Sequence, residues 1–357
     1  MAEQERYEIL SYEDVEQRQR WQALCQRFEN IDIYYLPEYA YLFELKGDGK
    51  AYCFVYYEGS NNIVLYPFLK RNINELTMFA DLPNDLSDIT SPYGYGGYLR
   101  NSEQIDMDRF INLFHQYCKD NNIVSEFVRF HPFLENHVYC LNSVTPQLWN
   151  EIVYFDLNNS EEDIWKTIAR TTRQGINKAV NANITLSYDP DFEHMDQFYE
   201  LYSDTMNKVG ADNYYFFSRV WFDNMIKLLK DHMALFHAIH EGEIIGSMIN
   251  FHCGDYICIF LAGSNPEKLH LRPNNFLYFK SALWAKDMGF RKYLLGGGLK
   301  PNDSLFKYKT LFSPLRAPFY LGKVIHNNEQ YQYLCNRKLE GNLTDSNANG
   351  FFPLYRK

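Results

Sequence analysis

Two tandem lobes of α/β (α+β) class, each a mixed twisted sheet flanked by helices, follow from three features of this 357-residue chain. Tyr256 to Gly298 reads as one βαβ crossover. An apolar run, Tyr256 to Leu261, stops at Ala262-Gly263-Ser264, and a charged loop leads to a helix opened by Pro273-Asn274 and closed near Gly289. A second strand, Lys292 to Leu295, then runs into Gly296-Gly297-Gly298. Such units hold ligands just beyond the carboxyl ends of their strands. The order helix, helix, hairpin, helix, strand also occurs twice, both hairpins turning on Glu-Gly at 58–59 and 241–242. Identities otherwise match poorly, so this is a repeat of architecture, and chance recurrence of a common order competes with duplication. The length, finally, suffices for two cores. The expected boundaries are 1–150 for the first lobe, 151–325 for the second and 326–357 for a tail.

The elements are justified in turn. Residues 11–29 carry Trp21, Leu24, Cys25 and Phe28 at spacings that line one helix face. Pro37 opens a second helix to Leu45, because proline at the first helical position sacrifices no hydrogen bond. Ala51–Tyr57 and Ile63–Leu69 form a hairpin. Asp81–Leu99, which holds SPYGYGGYL, reads as loop. Phe110, Leu113, Phe114 and Tyr117 make Met107–Lys119 helical, and Ile123–Phe130 is a strand closing on His131-Pro132. Ser160 caps a helix with an acidic first turn that continues through IWKTIARTTRQGINKAV. Its Arg170, Arg173 and Lys178 read either as a solvated face balancing the helix dipole or as a basic face turned to a phosphate. Phe192–Val209 is a helix ended by Gly210, Ser218 caps Arg219–Lys230, and Met233–His240 with Ile244–Phe251 make the second hairpin. Beyond Phe319 the tail, polar from Asn342 to Gly350, carries little signal.

Hydrophobic residues at 46% and aromatics at 17% fit a packed globular protein. The net charge of −10 opposes diffuse binding to duplex DNA while leaving room for a local basic pocket that grips a phosphate or a tRNA end. No apolar run is long enough for a membrane span and the start is charged, which points to the cytoplasm. Seven cysteines without a CxxC pair read as buried thiols in a reducing compartment. His252, Cys253 and Cys258 lack a fourth ligand at suitable spacing, so no metal site is expected. No GxSxG, HExxH, Walker or EF-hand pattern occurs, and the three glycines are no GxGxxG.

SPYGYGGYL, the RTTRQGINKA helix, GSN…RPNNFL and LGGG…DSLFKYKTLFSP, in that order, resemble the FemA/FemB-like transferases of the GNAT superfamily, from about Leu36 to about Ser313. These include the peptidoglycan-bridge aminoacyltransferases. The resemblance implies two GNAT-like lobes, with the donor site in the second. It also implies transfer of an acyl or aminoacyl group to an amine on a cell-envelope or polysaccharide precursor, or on a small metabolite. The donor, aminoacyl-tRNA or acyl-CoA, is then a co-substrate rather than a tightly bound cofactor, and the acceptor end of a tRNA is an implied partner. Trp165 to Tyr188 leaves no room for the helical-hairpin arm of some members, so the chain looks armless. The family's Phe-Lys-x-x-Phe falls on Tyr308-Lys309-Thr310-Leu311-Phe312, which implies that Lys309 handles the donor. LHLRPNNFL lacks the glycines with which acetyl-CoA-dependent members grip a pyrophosphate, which weakens an N-acetyltransferase reading. An inactive GNAT-like scaffold is the alternative from another class.

Amine attack on an activated acyl carbon needs an oxyanion donor and a proton for the leaving group; positioning alone can supply ~7–11 kcal/mol. Backbone N–H groups near Ala262 and Gly263 are expected to serve the oxyanion, Lys309 to supply charge or the leaving-group proton, and Asp303 to accept the amine's proton. The remaining donor contacts are expected at Arg272, Asn274, Asn275, Gly296, Gly297, Gly298, Lys307 and Phe312. The acceptor side is expected at Tyr93, Tyr95, Arg129 and Arg173, with a packed turn as the competing reading of residues 93–97.

Overall fold

The structure, a computed structural model, describes residues 6–140, 145–340 and 351–357, so the polar run 342–350 lies outside the described residues. In chain order the elements are β1 (Arg6–Ser11), α1 (Val15–Cys25), α2 (Pro37–Leu45), β2 (Lys50–Glu58), β3 (Asn62–Asn72), β4 (Ser87–Thr90), β5 (Leu99–Arg100), α3 (Met107–Asp120) and β6 (Ile123–Arg129). They continue as β7 (Gln147–Asp156), α4 (Glu161–Thr167), α5 (Arg170–Asn181), β8 (Thr185–Asp189), α6 (Met195–Val209), α7 (Arg219–Leu229), β9 (Met233–His240) and β10 (Glu243–Cys253). The last are β11 (Tyr256–Ser264), α8 (Pro273–Asp287), β12 (Lys292–Gly296), α9 (Ser304–Thr310), β13 (Arg316–Ile325) and α10 (Asn328–Glu340). No helix of the described residues is long and apolar enough to cross a membrane.

The chain divides into two compact units, each a mixed sheet flanked by helices. Unit 1 comprises 1–28, 34–149 and 319–357; unit 2 comprises 29–33 and 150–318. The chain beyond Phe319, expected to fall partly in the second lobe and partly in a separate tail, is thus counted with unit 1.

In unit 1 the strand order is β1-β2-β3-β4-β6-β13, with β5 beside β3. All pairs are antiparallel except β4 with β6. The sequence reads β4 as loop, because Ser-Asp-Ile-Thr has no apolar alternation. In the structure all four residues are buried. Asp88 accepts from Arg71 Nε at 2.6 Å, Tyr355 Oη at 2.9 Å and Arg356 Nε at 2.5 Å, and these long-range partners offset the desolvation of its charge. Phe54, Tyr66, Phe110, Phe114 and Phe130 make the core on the α3 side. Tyr331, Leu334 and Tyr355 of the C-terminal segment close a second cluster with Phe79.

In unit 2 the order is β7-β12-β11-β10-β9-β8, antiparallel except for β11 with β12. Residues 29–33 join it through Asn30, whose amide donates to Asp255 at 3.0 Å and accepts from the Asp255 N–H at 2.9 Å. The single helix expected from Ser160 is two. Ile168 and Ala169 are extended (ψ 134 and 143), and the Ala169 N–H donates to the Leu311 carbonyl at 2.8 Å, not to a helical carbonyl. The break moves Arg170 and Arg173 from the C-terminal half of a long helix to the first turn of α5, where the dipole disfavours positive charge. The dipole-balancing reading of these arginines therefore fails. The six cysteines Cys25, Cys53, Cys118, Cys253, Cys258 and Cys335 are buried and unbridged.

Candidate active site

Strand β11 does not stop at Ala262-Gly263-Ser264 as the sequence suggests. It runs to Ser264, still paired with Gly246 of β10. What ends early is its pairing with β12, which covers only Tyr256, Ile257 and Cys258 against Lys292, Tyr293 and Leu294. Two irregularities bend the strands apart. Phe260 is the extra residue where β11 shifts register against β10, and Leu295 is the extra one where β12 shifts against β7. Ile259 to Ala262 are correspondingly half-exposed.

The N–H groups on this opened edge follow from strand alternation. Asn265 N–H donates to the Ile245 carbonyl beside β10, and Ser264 N–H points the other way, to Thr205 Oγ1 at 3.2 Å. Ala262 N–H, two residues before Ser264, faces the same edge, where β12 no longer runs alongside. Gly263 is accounted for by packing instead. A Cβ there would sit 2.4–2.5 Å from backbone atoms of Leu201 and Tyr202 in α6.

The glycine loop surrounds Lys309. Its Nζ donates to the Gly297 carbonyl at 2.7 Å and lies 3.1 Å from where a Cβ on Gly296 would be. Gly296 adopts φ +81, a left-handed conformation that glycine takes at no steric cost and a residue with a Cβ takes only with strain. Burial pushes the Lys309 ammonium down from 10.5 to about 8, against a smaller opposing pull from Asp303. Gly297 packs on the Glu151 carbonyl and near Asn150 Nδ2. That amide nitrogen is buried without a hydrogen-bond partner, while its Oδ1 accepts from the Glu151 N–H at 2.9 Å. Asn150 escaped the sequence reading, since only the pairing of β7 with β12 brings it to the glycines.

Asp303 is the N-cap of α9. Its carboxylate accepts from the Phe306 N–H at 2.8 Å and the Lys300 N–H at 3.0 Å. Burial alone would raise its pKa, but the N–H groups of Phe306, Lys300 and Leu299, with Lys309 nearby, hold it below the ordinary carboxylate value. It is therefore a poorer proton acceptor than the sequence suggests. Gly298 makes room for it: a Cβ there would lie 2.1 Å from Asp303 Oδ1. Phe312, expected to touch the donor, is instead wholly buried between Tyr278 and Tyr308, 5.2 Å from each ring. Lys307 is exposed on the outer side of α9.

At the start of α8, Arg272 holds a left-handed backbone (φ +67). Asn274 Oδ1 accepts from Ser264 Oγ at 2.5 Å, and Asn275 Oδ1 from Tyr308 Oη at 3.4 Å. A Cβ on Gly175 of α5 would lie 3.0 Å from Asn275 and 3.7 Å from Arg272, so α5 and the start of α8 are in direct contact. Arg173, half-exposed on α5, makes no ion pair among the described residues. Of the other acceptor-side expectations, Tyr93, Tyr95 and Arg129 are in unit 1. The Tyr93 carbonyl accepts from Tyr39 Oη at 2.7 Å, and Tyr95 is buried edge-on to Tyr34 and Phe319, as in a packed turn. Arg129 Nη1 donates to the Ser91 carbonyl at 3.2 Å.

Comparison with known proteins adds the following. No curated protein matches the chain. Residues 166–310 match the acetyltransferase (GNAT) domain family. Among solved structures, FemX is similar with a TM-score of 0.66 at 14% identity, over 88% of this chain and 98% of its own. L-PGS from Bacillus licheniformis is similar with a TM-score of 0.55 at 13% identity, over 94% and 98%. The C-terminal domain of a putative lysylphosphatidylglycerol synthetase from Agrobacterium fabrum gives 0.53 at 12%, over 88% and 92%. The chain thus carries a GNAT-type acyltransferase domain at residues 166–310, within a fold that it shares with FemX.

Proposed function

We infer that unit 2 transfers an aminoacyl group from an activated ester to an amine, with the carbonyl seated where β11 and β12 part. That parting is the observation carrying the reading. It leaves an N–H edge at Ala262, and the Lys309 ammonium, carried by α9, donates to Gly297 in the glycine loop that follows β12. The amine nitrogen attacks the acyl carbon, an N–C bond forms, and the C–O bond to the donor breaks. Ala262 N–H, joined by the unpartnered amide nitrogen of Asn150, stabilises the developing oxyanion; one such donor is typically worth ~3 kcal/mol. Lys309 gives its proton to the leaving oxygen and is recharged by the proton the amine releases. An ammonium that titrates at about 8 suits this task, being mostly charged at neutral pH yet a far stronger acid than an ordinary lysine. Asp303 keeps α9, and hence Lys309, in place.

Arg170 and Arg173 on α5, with Arg272 at the start of α8, offer positive charge to the phosphates of the donor, beside the free N–H groups of a helix N-terminus. The acceptor that fits best is an amine on a cell-envelope or polysaccharide precursor, in keeping with the fold shared with FemX. Six buried, unbridged cysteines and a tRNA-type donor agree with a cytoplasmic setting.

The test is melting of the full chain with a non-hydrolysable aminoacyl-tRNA analogue and, separately, with acetyl-CoA. A ligand at 100 times its dissociation constant adds ~2.7 kcal/mol. Stabilisation by the analogue, reduced in Arg173→Ala and Arg272→Ala, supports the reading. Stabilisation by acetyl-CoA alone replaces the aminoacyl donor with a thioester.

A further inference from the structure

We propose that Asp189, His194 and His237 form a divalent transition-metal site of the zinc type, apart from the transfer site. Asp189 ends β8, His194 precedes α6 and His237 lies in β9. One ligand atom from each falls within a common 4.8 Å. His194 Nδ1 is 3.2 Å from Asp189 Oδ2, and His237 Nε2 is 3.5 Å from the same oxygen. Donors around a tetrahedral zinc at ~2.0–2.1 Å stand ~3.3 Å apart, which the two separations to Asp189 Oδ2 match, while the three ligand atoms together span no more than 4.8 Å.

A second observation points to a ligand. The His237 ring is only 1% exposed, and its Nε2 is buried without a hydrogen-bond partner although it faces the carboxylate. The other ring nitrogen, Nδ1, is 2.7 Å from Ser247 Oγ. With Nδ1–H donating to that hydroxyl, Nε2 carries its lone pair into the cluster, as an imidazole ligand held by an outer partner does. The carboxylate is likewise oriented from outside: Oδ1 accepts from the Glu193 N–H at 3.1 Å and Oδ2 from the His194 N–H at 2.9 Å. His194, 47% exposed, gives the ion a way in and leaves a fourth position to water. Two imidazoles and one carboxylate favour zinc-like ions over magnesium or calcium, which prefer all-oxygen shells. The ion would join β8, β9 and the start of α6, the helix whose backbone lies against Gly263. The site stands whether or not the transfer reading does.

The experiment strips the full chain with a chelator and titrates Zn²⁺ against a chromophoric competitor, with Co²⁺ as a spectroscopic probe. We expect one Zn²⁺ per chain, d–d bands of low-symmetry Co²⁺, and a melting temperature that rises with metal. Ser247→Ala should weaken binding ~10–100-fold, as loss of an outer partner does, and His194→Ala by at least as much, with no metal-dependent melting shift. The exposed His194 side chain makes its variant safe for folding should His237→Ala fail to fold. Wild-type affinity equal to that of His194→Ala, or a Co²⁺ spectrum unchanged in that variant, overturns the proposal.

Discussion

Replacing Lys309 with methionine should make the protein more stable and less active at once. The side chain is buried, and its ammonium titrates at about 8 where an unfolded lysine titrates at 10.5. Between those values the unfolded chain holds a proton that the folded chain has lost, so stability rises with pH across that window. Below pH 8 both states are protonated and the folded state carries the full penalty of a buried charge. The gap corresponds to ~3 kcal/mol at 1.36 kcal/mol per pH unit. Methionine removes that penalty and fills similar volume, but strands the Gly297 carbonyl that Lys309 now satisfies, at a cost of ~1 kcal/mol. The variant should therefore be ~2 kcal/mol more stable than wild type in urea at pH 7. The advantage should shrink as pH rises past about 8 and reverse sign inside that window, before the unfolded value of 10.5 is reached; above it only the lost hydrogen bond remains. Transfer activity should fall ~10²–10⁴-fold, the usual worth of a positioned acid. Wild-type turnover should also decline as pH rises through about 8, a limb missing from the variant's residual activity. A variant equally destabilised at pH 7 and at high pH, with turnover intact, would refute both the buried charge and its use.

Further expectations concern the loop and the frame. Gly263→Ala should lose at least ~1–3 kcal/mol, the usual range for overpacking, because its Cβ meets α6 backbone rather than a movable side chain; equilibrium unfolding measures it. Gly296→Ala should cost ~1–2 kcal/mol for its left-handed backbone and lower turnover more than stability predicts, since the new methyl crowds Lys309 Nζ; the pair of measurements separates the effects. Asp303→Ala should cost ~1 kcal/mol through loss of the α9 cap. With a folded pKa below the ordinary 3.8, Asp303 stabilises the fold above that value and the contribution fades as pH falls; acid unfolding of wild type and variant should converge at low pH. Arg356→Ala should cost ~1–3 kcal/mol by leaving the buried Asp88 with fewer partners, read by the melting temperature.

How far the sequence reveals this molecule depends on where each residue finds its partners. The helices α1, α2, α3, α7 and α8 and both hairpins declare themselves through caps and periodicity, because the determinants lie within a few residues. Strand β4 does not, since Asp88 is held by Arg71 and by Arg356, which is far away in the chain. The same holds for β7 and β13, which read as nothing in particular until β12 and β6 pair with them. The split of α4 from α5 depends on one tertiary bond from Ala169 to Leu311, and with it the placement of Arg170 and Arg173 at a helix start. In the candidate site, Lys309 is legible through the five-residue match Tyr308-Lys309-Thr310-Leu311-Phe312 to the resembled family, a signal contained in one short stretch. The unpartnered amide nitrogen of Asn150 is not, being that of a lone asparagine brought in by strand pairing. The glycines teach the sharper lesson. Gly263, Gly296 and Gly298 look alike in sequence, yet the first admits a helix backbone, the second permits a left-handed turn beside an ammonium, and the third admits a carboxylate cap. Sequence indicates that the chain turns or packs closely at these points, but what fills the missing Cβ, and so which glycine bears on chemistry, is decided by the fold.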